Sequence, residues 1–103
     1  MTDHQMTLLA ARAARMWLIN DDPQVLVVNA LQQYEVWAPL EDEGAALRLA
    51  NRLRLSITHC PDGSSVVVTG DYDIRIREQA GDDLNAATNR AIVQAAAALG
   101  MLL

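Results

Sequence analysis

The sequence has no lysine and no phenylalanine, one cysteine, and only two residues each of histidine, tryptophan and tyrosine in 103 residues. Each scarcity excludes something. With Cys60 alone, no intrachain disulfide can form, and the thiol reads as a small core residue of a reduced, cytoplasmic protein. His4, His59 and Cys60 are too few and too poorly spaced for a zinc site, which needs three or four converging ligands. His59 and Cys60 are neighbours in a strand-like segment, so they point to opposite faces and make a poor catalytic dyad. No apolar run approaches the ~18 residues that span a bilayer. The opening segment carries Asp3, Arg12 and Arg15 where a secretory signal is apolar. No membrane association is expected.

Basic charge is also scarce. All eight basic residues are arginine, against 13 acids, for a net charge of −5. A nucleic-acid binder needs a basic patch to neutralise phosphates, so no nucleic acid is expected as a partner. The five glycines form no phosphate-cradling loop of the Walker or Rossmann kind, and there is no G-x-S-x-G nucleophile elbow. The sequence therefore implies no enzyme, no cofactor and no metal.

Alanine dominates what is present, with 17 residues. Alanine favours helices and lets elements pack closely, so the core is expected to be thin. Large apolar volume must come from leucine, valine, isoleucine, methionine and the four aromatics Trp17, Tyr34, Trp37 and Tyr72. Alanine and arginine richness without lysine fits a GC-rich coding sequence better than a physical adaptation.

Periodicity predicts a single α+β domain over residues 1–103. A first helix is expected over about Asp3–Ile19, capped by Thr2 or Asp3, with Met6, Leu9, Ala10, Ala13 and Trp17 on one face. Residues 20–23 then stop it. Val25–Asn29 and Gln33–Ala38 read as two strands joined near residues 29–32. Asp42 caps a second helix over Glu43–Leu53, with a stripe of Leu47, Ala50 and Leu53. Leu55–Cys60 and Ser65–Thr69 form a hairpin around a Pro-Asp-Gly-Ser turn. Tyr72–Glu78 alternates with period 2, Tyr72, Ile74 and Ile76 on one face and Asp73, Arg75 and Arg77 on the other. Asp82 or Asp83 caps a last helix over Asp83–Leu99, with a stripe of Leu84, Ala87, Ala91, Ala95 and Leu99, and Gly100 as its left-handed terminator. The order is α-β-β-α-β-β-β-α. It suggests one antiparallel sheet of about five strands with three helices on one face.

Three places could carry binding. The carboxylate clusters Asp21–Asp22, Glu41–Asp42–Glu43, Asp71 with Asp73, and Asp82–Asp83 mostly stand where turns and helix starts favour acids. The loop Trp37, Pro39, Leu40, Glu41 and Asp42 puts a tryptophan before a proline-bearing acidic stretch. Trp37 either anchors a partner or covers the start of the second helix as core. Arg75 and Arg77 share an exposed strand face, where a guanidinium pair could hold phosphate. The apolar tail Met101–Leu103 could join copies of the chain into a homo-oligomer.

Two stretches carry a family resemblance: Trp37-Ala-Pro-Leu-Glu-Asp-Glu-Gly-Ala-Ala-Leu-Arg-Leu-Ala50 and Asp83-Leu-Asn-Ala-Ala-Thr-Asn-Arg-Ala-Ile-Val-Gln-Ala-Ala-Ala-Ala-Leu-Gly100. Together they resemble small proteins of phage and prophage genomes and are distantly similar to the NinX-like domain. The resemblance covers the middle and the C-terminal third of the chain and brings no catalytic residue with it. It implies an accessory protein of a mobile element, working in the cytoplasm of a bacterial host cell. The expected function is non-enzymatic: binding a host or phage protein and modulating it. The alternatives are a nucleotide- or phosphate-sequestering protein using Arg75 and Arg77, and a structural homo-oligomer.

Overall fold

In the computed structural model, residues 1–20, 24–28 and 31–102 are described. The elements are α1 (Asp3–Ala13), β1 (Leu18–Asn20), β2 (Leu26–Val28), β3 (Tyr34–Val36), α2 (Glu43–Leu53), β4 (Ser56–His59), β5 (Ser65–Thr69), β6 (Arg75–Gln79) and α3 (Leu84–Met101). The class is α+β with three helices, as expected. The strands, however, number six and form two separate three-stranded antiparallel sheets, β1-β2-β3 and β4-β5-β6, instead of one sheet of five. Each sheet is a meander closed within its own stretch of chain, and α2 stands between them in sequence.

The extra strand comes from the early end of α1. Thr2 opens the helix with a reciprocal capping box: its hydroxyl accepts from the Gln5 N–H, and the Gln5 side chain accepts from the Thr2 N–H. The helix was expected to continue to Ile19, but Arg15 adopts a left-handed φ of 55°. The Arg15 and Met16 N–H groups bond back to the carbonyls of Arg12 and Ala11. This is the terminating motif that glycine usually supplies, here made by arginine. Trp17 therefore leaves the predicted helix stripe and stands 68% exposed. Leu18–Asn20 turns back to pair with β2, with an irregularity in register between Leu18 and Asn20. The predicted stop at residues 20–23 and the turn at 29–32 fall largely outside the described residues.

The second helix starts and ends where expected. Asp42 Oδ1 accepts from the Gly44 and Ala45 N–H groups, satisfying two of the first-turn donors. Arg54, again left-handed at φ 56°, ends it. The buried stripe is Ala45, Ala46, Leu49 and Ala50. Leu47, predicted to be core, lies off that stripe and is 54% exposed.

In the second sheet, β4 pairs with β5 from Ser56↔Thr69 to His59↔Val66, and β5 with β6 from Ser65↔Gln79 to Thr69↔Arg75. Val66, Val68, Ile57 and Ile76 share one face and join the core. The β5–β6 connection corrects the sequence reading. Tyr72 and Asp73 both take left-handed φ, 62° and 59°, and Ile74 N–H closes the turn on the Asp71 carbonyl. Tyr72 is thus a turn residue, 74% exposed, and the strand begins only at Arg75.

Helix α3 is the hub. Asp83 caps it through a bond from the Ala86 N–H. It packs on α1, on α2 and on β5 and β6, so it is buried on several sides. Ala87, Ala91, Ile92, Val93, Ala95, Ala96, Ala97 and Leu99 are all buried, which is why its apolar content runs around the helix. Leu84, expected in the stripe, is exposed. Gly100 does not terminate the helix, which continues to Met101. Its role is close approach: a Cβ there would meet the carbonyl oxygen of Leu9 and lie 2.8 Å from the Leu9 carbonyl carbon. Arg90 ties the layers together, with ion pairs to Asp3 at 3.1 Å and Glu78 at 3.6 Å.

Candidate functional site

The loop that the sequence singled out is mainly a packing and capping device. Trp37 donates its N–H to the Val25 carbonyl at 2.8 Å and is only 6% exposed. Pro39 is fully buried and Leu40 packs against the core. The Glu41 and Asp42 N–H groups turn onto the Ala38 carbonyl. Of the five residues, Leu40 is half-buried and only Glu41 and Asp42 are exposed, and Asp42 is engaged as the cap of α2. Trp37 follows the core reading of the two that its sequence position left open.

Arg75 and Arg77 lie side by side on the outer face of β6, opposite Thr69 and Val67. Both are exposed on an open sheet face, and neither lines the main groove of the molecule. His59 Nε2 and Thr88 Oγ1 lie 3.4 Å apart, while Cys60 Sγ is 2.9 Å from Ser65 Oγ. Histidine and cysteine thus have separate partners. Among the described residues, no group of three or more His, Cys, Asp or Glu side chains could hold a metal ion. Among them too, no helix is long and apolar enough to cross a membrane. Met101 and Leu102 are exposed at the end of α3.

A concavity lies elsewhere. A groove of about 640 Å³ runs between the end of α1, the first sheet and the outer side of α2. Its apolar part includes Met16, Trp17, Val28, Leu31, Trp37 and Leu49. Among the described residues, three guanidinium side chains, Arg15, Arg48 and Arg52, line it with one carboxylate, Glu35. On a chain of net charge −5 this is a local reversal of sign.

Each arginine arrives by a local rule. Arg48 and Arg52 are four residues apart on α2, hence one turn apart on one side of the helix. Arg48 lies back over the first turn, its Nη1 3.2 Å from where a Cβ on Gly44 would sit. Arg15 is placed by the left-handed residue that ends α1. None of the three forms an ion pair with a described carboxylate; the described ion pairs all belong to Arg90. Gln32, a second groove residue, is also left-handed at φ 63°.

The sequence held a partial signal for this site. Arg48 and Arg52, four residues apart, mark one side of the second helix as polar. The contribution of Arg15 and Trp17 was hidden, because it depends on the helix ending four residues before Trp17.

An α+β domain with two antiparallel meanders and three helices, and an arginine-lined apolar groove beside the first sheet, is the class that fold and site define. Comparison with family models, with curated proteins and with solved structures finds no match for the chain.

Proposed function

We propose that this chain is a non-enzymatic binding protein that holds a protein partner in the groove between α1, the first sheet and α2. This is the behaviour expected of the phage and prophage accessory proteins that the sequence resembles. One observation carries the reading: three arginines without a described ion pair line an apolar concavity on an otherwise acidic chain. Guanidinium groups and aromatic side chains are the residue types over-represented at the energetic centres of protein interfaces. The exposed Trp17 and Leu31 beside them supply apolar surface that a partner would cover.

The test is affinity capture from a phage-infected bacterial extract with N-terminally tagged protein, wild type beside Arg48→Gln/Arg52→Gln. A stoichiometric partner that disappears with the double variant is expected. A partner retained equally by both would move the site out of the groove, and an empty capture with either terminus tagged would remove the reading.

A second reading, a nucleotide- or phosphate-binding protein, is favoured by one feature. Trp17, 68% exposed, lines the same groove as Arg15, so a base stacked on the indole and a phosphate on the guanidinium could be held together. The Arg75 and Arg77 version of that reading has only charge to support it. A thermal shift of several degrees with a nucleotide, lost in Arg15→Gln but kept in Arg75→Gln, is the expected sign of the groove version.

A further inference from the structure

We infer that the groove takes an acidic, amphipathic segment of the partner protein, in which two carboxylates one helical turn apart pair with Arg48 and Arg52 while apolar side chains cover Trp17 and Leu31. The inference rests on the binding reading above and names the chemistry of what is bound.

The pitch of the arginines comes first. Four residues along a helix rise about 6 Å, so Arg48 and Arg52 present two forks at the spacing of carboxylates placed i and i+4 on a second helix lying along α2. Arginine suits this role because its planar fork pairs with a carboxylate through two parallel bonds. Charge complementarity comes next. Among the described residues the groove lining holds three arginines and one glutamate, while the chain as a whole is at −5. A local excess of guanidinium groups draws an acidic segment to this place, which favours both encounter and register.

The apolar lining decides between ligand classes. Trp17 is 68% and Leu31 76% exposed, and Met16 and Leu49 line the same groove. A mononucleotide brings a single ring and would leave most of this uncovered. An amphipathic segment with apolar anchors at i, i+3 or i+4 between its acids covers it while the acids reach the rim.

The experiment selects displayed random 16-residue peptides on the purified protein and then measures enriched peptides by fluorescence anisotropy. Enriched sequences should carry Asp or Glu at i, i+4 spacing with Leu, Ile or aromatic residues between. Affinity should fall at least about tenfold in Arg48→Gln/Arg52→Gln and in Trp17→Ala, and should weaken as salt is raised. It should change less than about twofold in Arg75→Gln/Arg77→Gln, which alters the same number of charges outside the groove. Circular dichroism melts of each variant separate lost binding from lost folding. Neutral or basic enriched peptides, no enrichment, or peptides indifferent to the Arg48 and Arg52 changes would overturn the inference. ATP and inorganic phosphate, titrated in parallel by tryptophan fluorescence, locate the failure. Saturable ATP binding lost in Arg48→Gln/Arg52→Gln, without acidic peptides, ends the inference and leaves a binding groove. If neither peptide nor ATP responds to those substitutions, the groove reading falls with it.

Discussion

Replacing Gly100 by alanine puts a methyl group into the close approach of α3 to α1. The Cβ added there would lie 2.8 Å from the carbonyl carbon of Leu9, a backbone atom of α1. Carbon atoms pack at about 3.5–4.0 Å, so α1 and α3 must part by about 1 Å at that crossing. Both helices carry small buried residues, Ala10 and Ala11 in α1 and Ala95, Ala96 and Ala97 in α3. A gap of that size forfeits about a quarter to a half of each contact's attraction. Overpacking of this kind costs about 1–3 kcal/mol, and a rigid backbone target puts Gly100→Ala at the upper end. Alanine returns up to about 1 kcal/mol of helix propensity, for a net loss of about 2 kcal/mol. At about 4–8 °C per kcal/mol for a domain of this size, the melting temperature should drop by roughly 10 °C. Thermal and urea melts followed by circular dichroism measure it. Because the obstacle is main chain, adding Leu9→Ala should deepen the loss. A melting temperature within 2 °C of wild type (about 0.5 kcal/mol or less), or a rescue by Leu9→Ala, would refute the close-approach account.

Three further outcomes follow from the left-handed residues and from one turn. Asp73→Gly relieves the second of two consecutive left-handed positions in the β5–β6 turn and should stabilise by about 1 kcal/mol in urea melts, since glycine takes positive φ without a Cβ clash. Arg15→Gly relieves the left-handed end of α1 by a similar amount, about 1 kcal/mol, yet should weaken acidic-peptide binding because it removes a groove guanidinium. Asp62 accepts a bond from the Ser64 N–H at 2.9 Å. That bond first, and then the Ser64 hydroxyl, holds its carboxyl below the ordinary aspartate value. A depressed folded-state value means stability that is present above the unfolded value and lost as pH falls through the folded one, so an NMR titration should place Asp62 below the ordinary aspartate value, and Ser64→Ala, which removes the hydroxyl but keeps the backbone N–H, should raise it only part of the way.

Much of the fold was legible because local chemistry dictates it. The Asp42 and Asp83 caps, the β4–β5 hairpin around Asp62 and Gly63, and the α2 boundaries depend on residues within a few positions of one another. What was not legible had non-local or atypical causes. Arginine at 15 and tyrosine and aspartate at 72 and 73 occupy left-handed positions that a reader assigns to glycine or asparagine, so the helix was read too long and the last strand began too early. Gly100 was read as a helix end because glycine most often serves there, whereas its reason is the backbone of Leu9 across the interface. The division into two sheets depends on which edges meet in space, and period-2 alternation carries no information about that.

The same atypical residues connect the fold to the site. Of the five non-glycine residues with left-handed φ among the described residues, Arg15 and Gln32 line the groove. A glycine at either position would suit the backbone better, and such strain is commonly held where surrounding structure and function both fix a side chain. Arg15 is the sharper case, since the conformation that ends α1 also frees Trp17 from the helix to line the groove and leads the chain into β1. Arg54, left-handed at the end of α2 and outside the groove lining, provides the comparison. If the strain at 15 serves binding, Arg15→Gly and Arg54→Gly should stabilise the fold alike, by about 1 kcal/mol each, while only Arg15→Gly loses affinity for acidic peptides. Equal loss of affinity in both variants, or in neither, would reduce the arginine at 15 to a helix terminator.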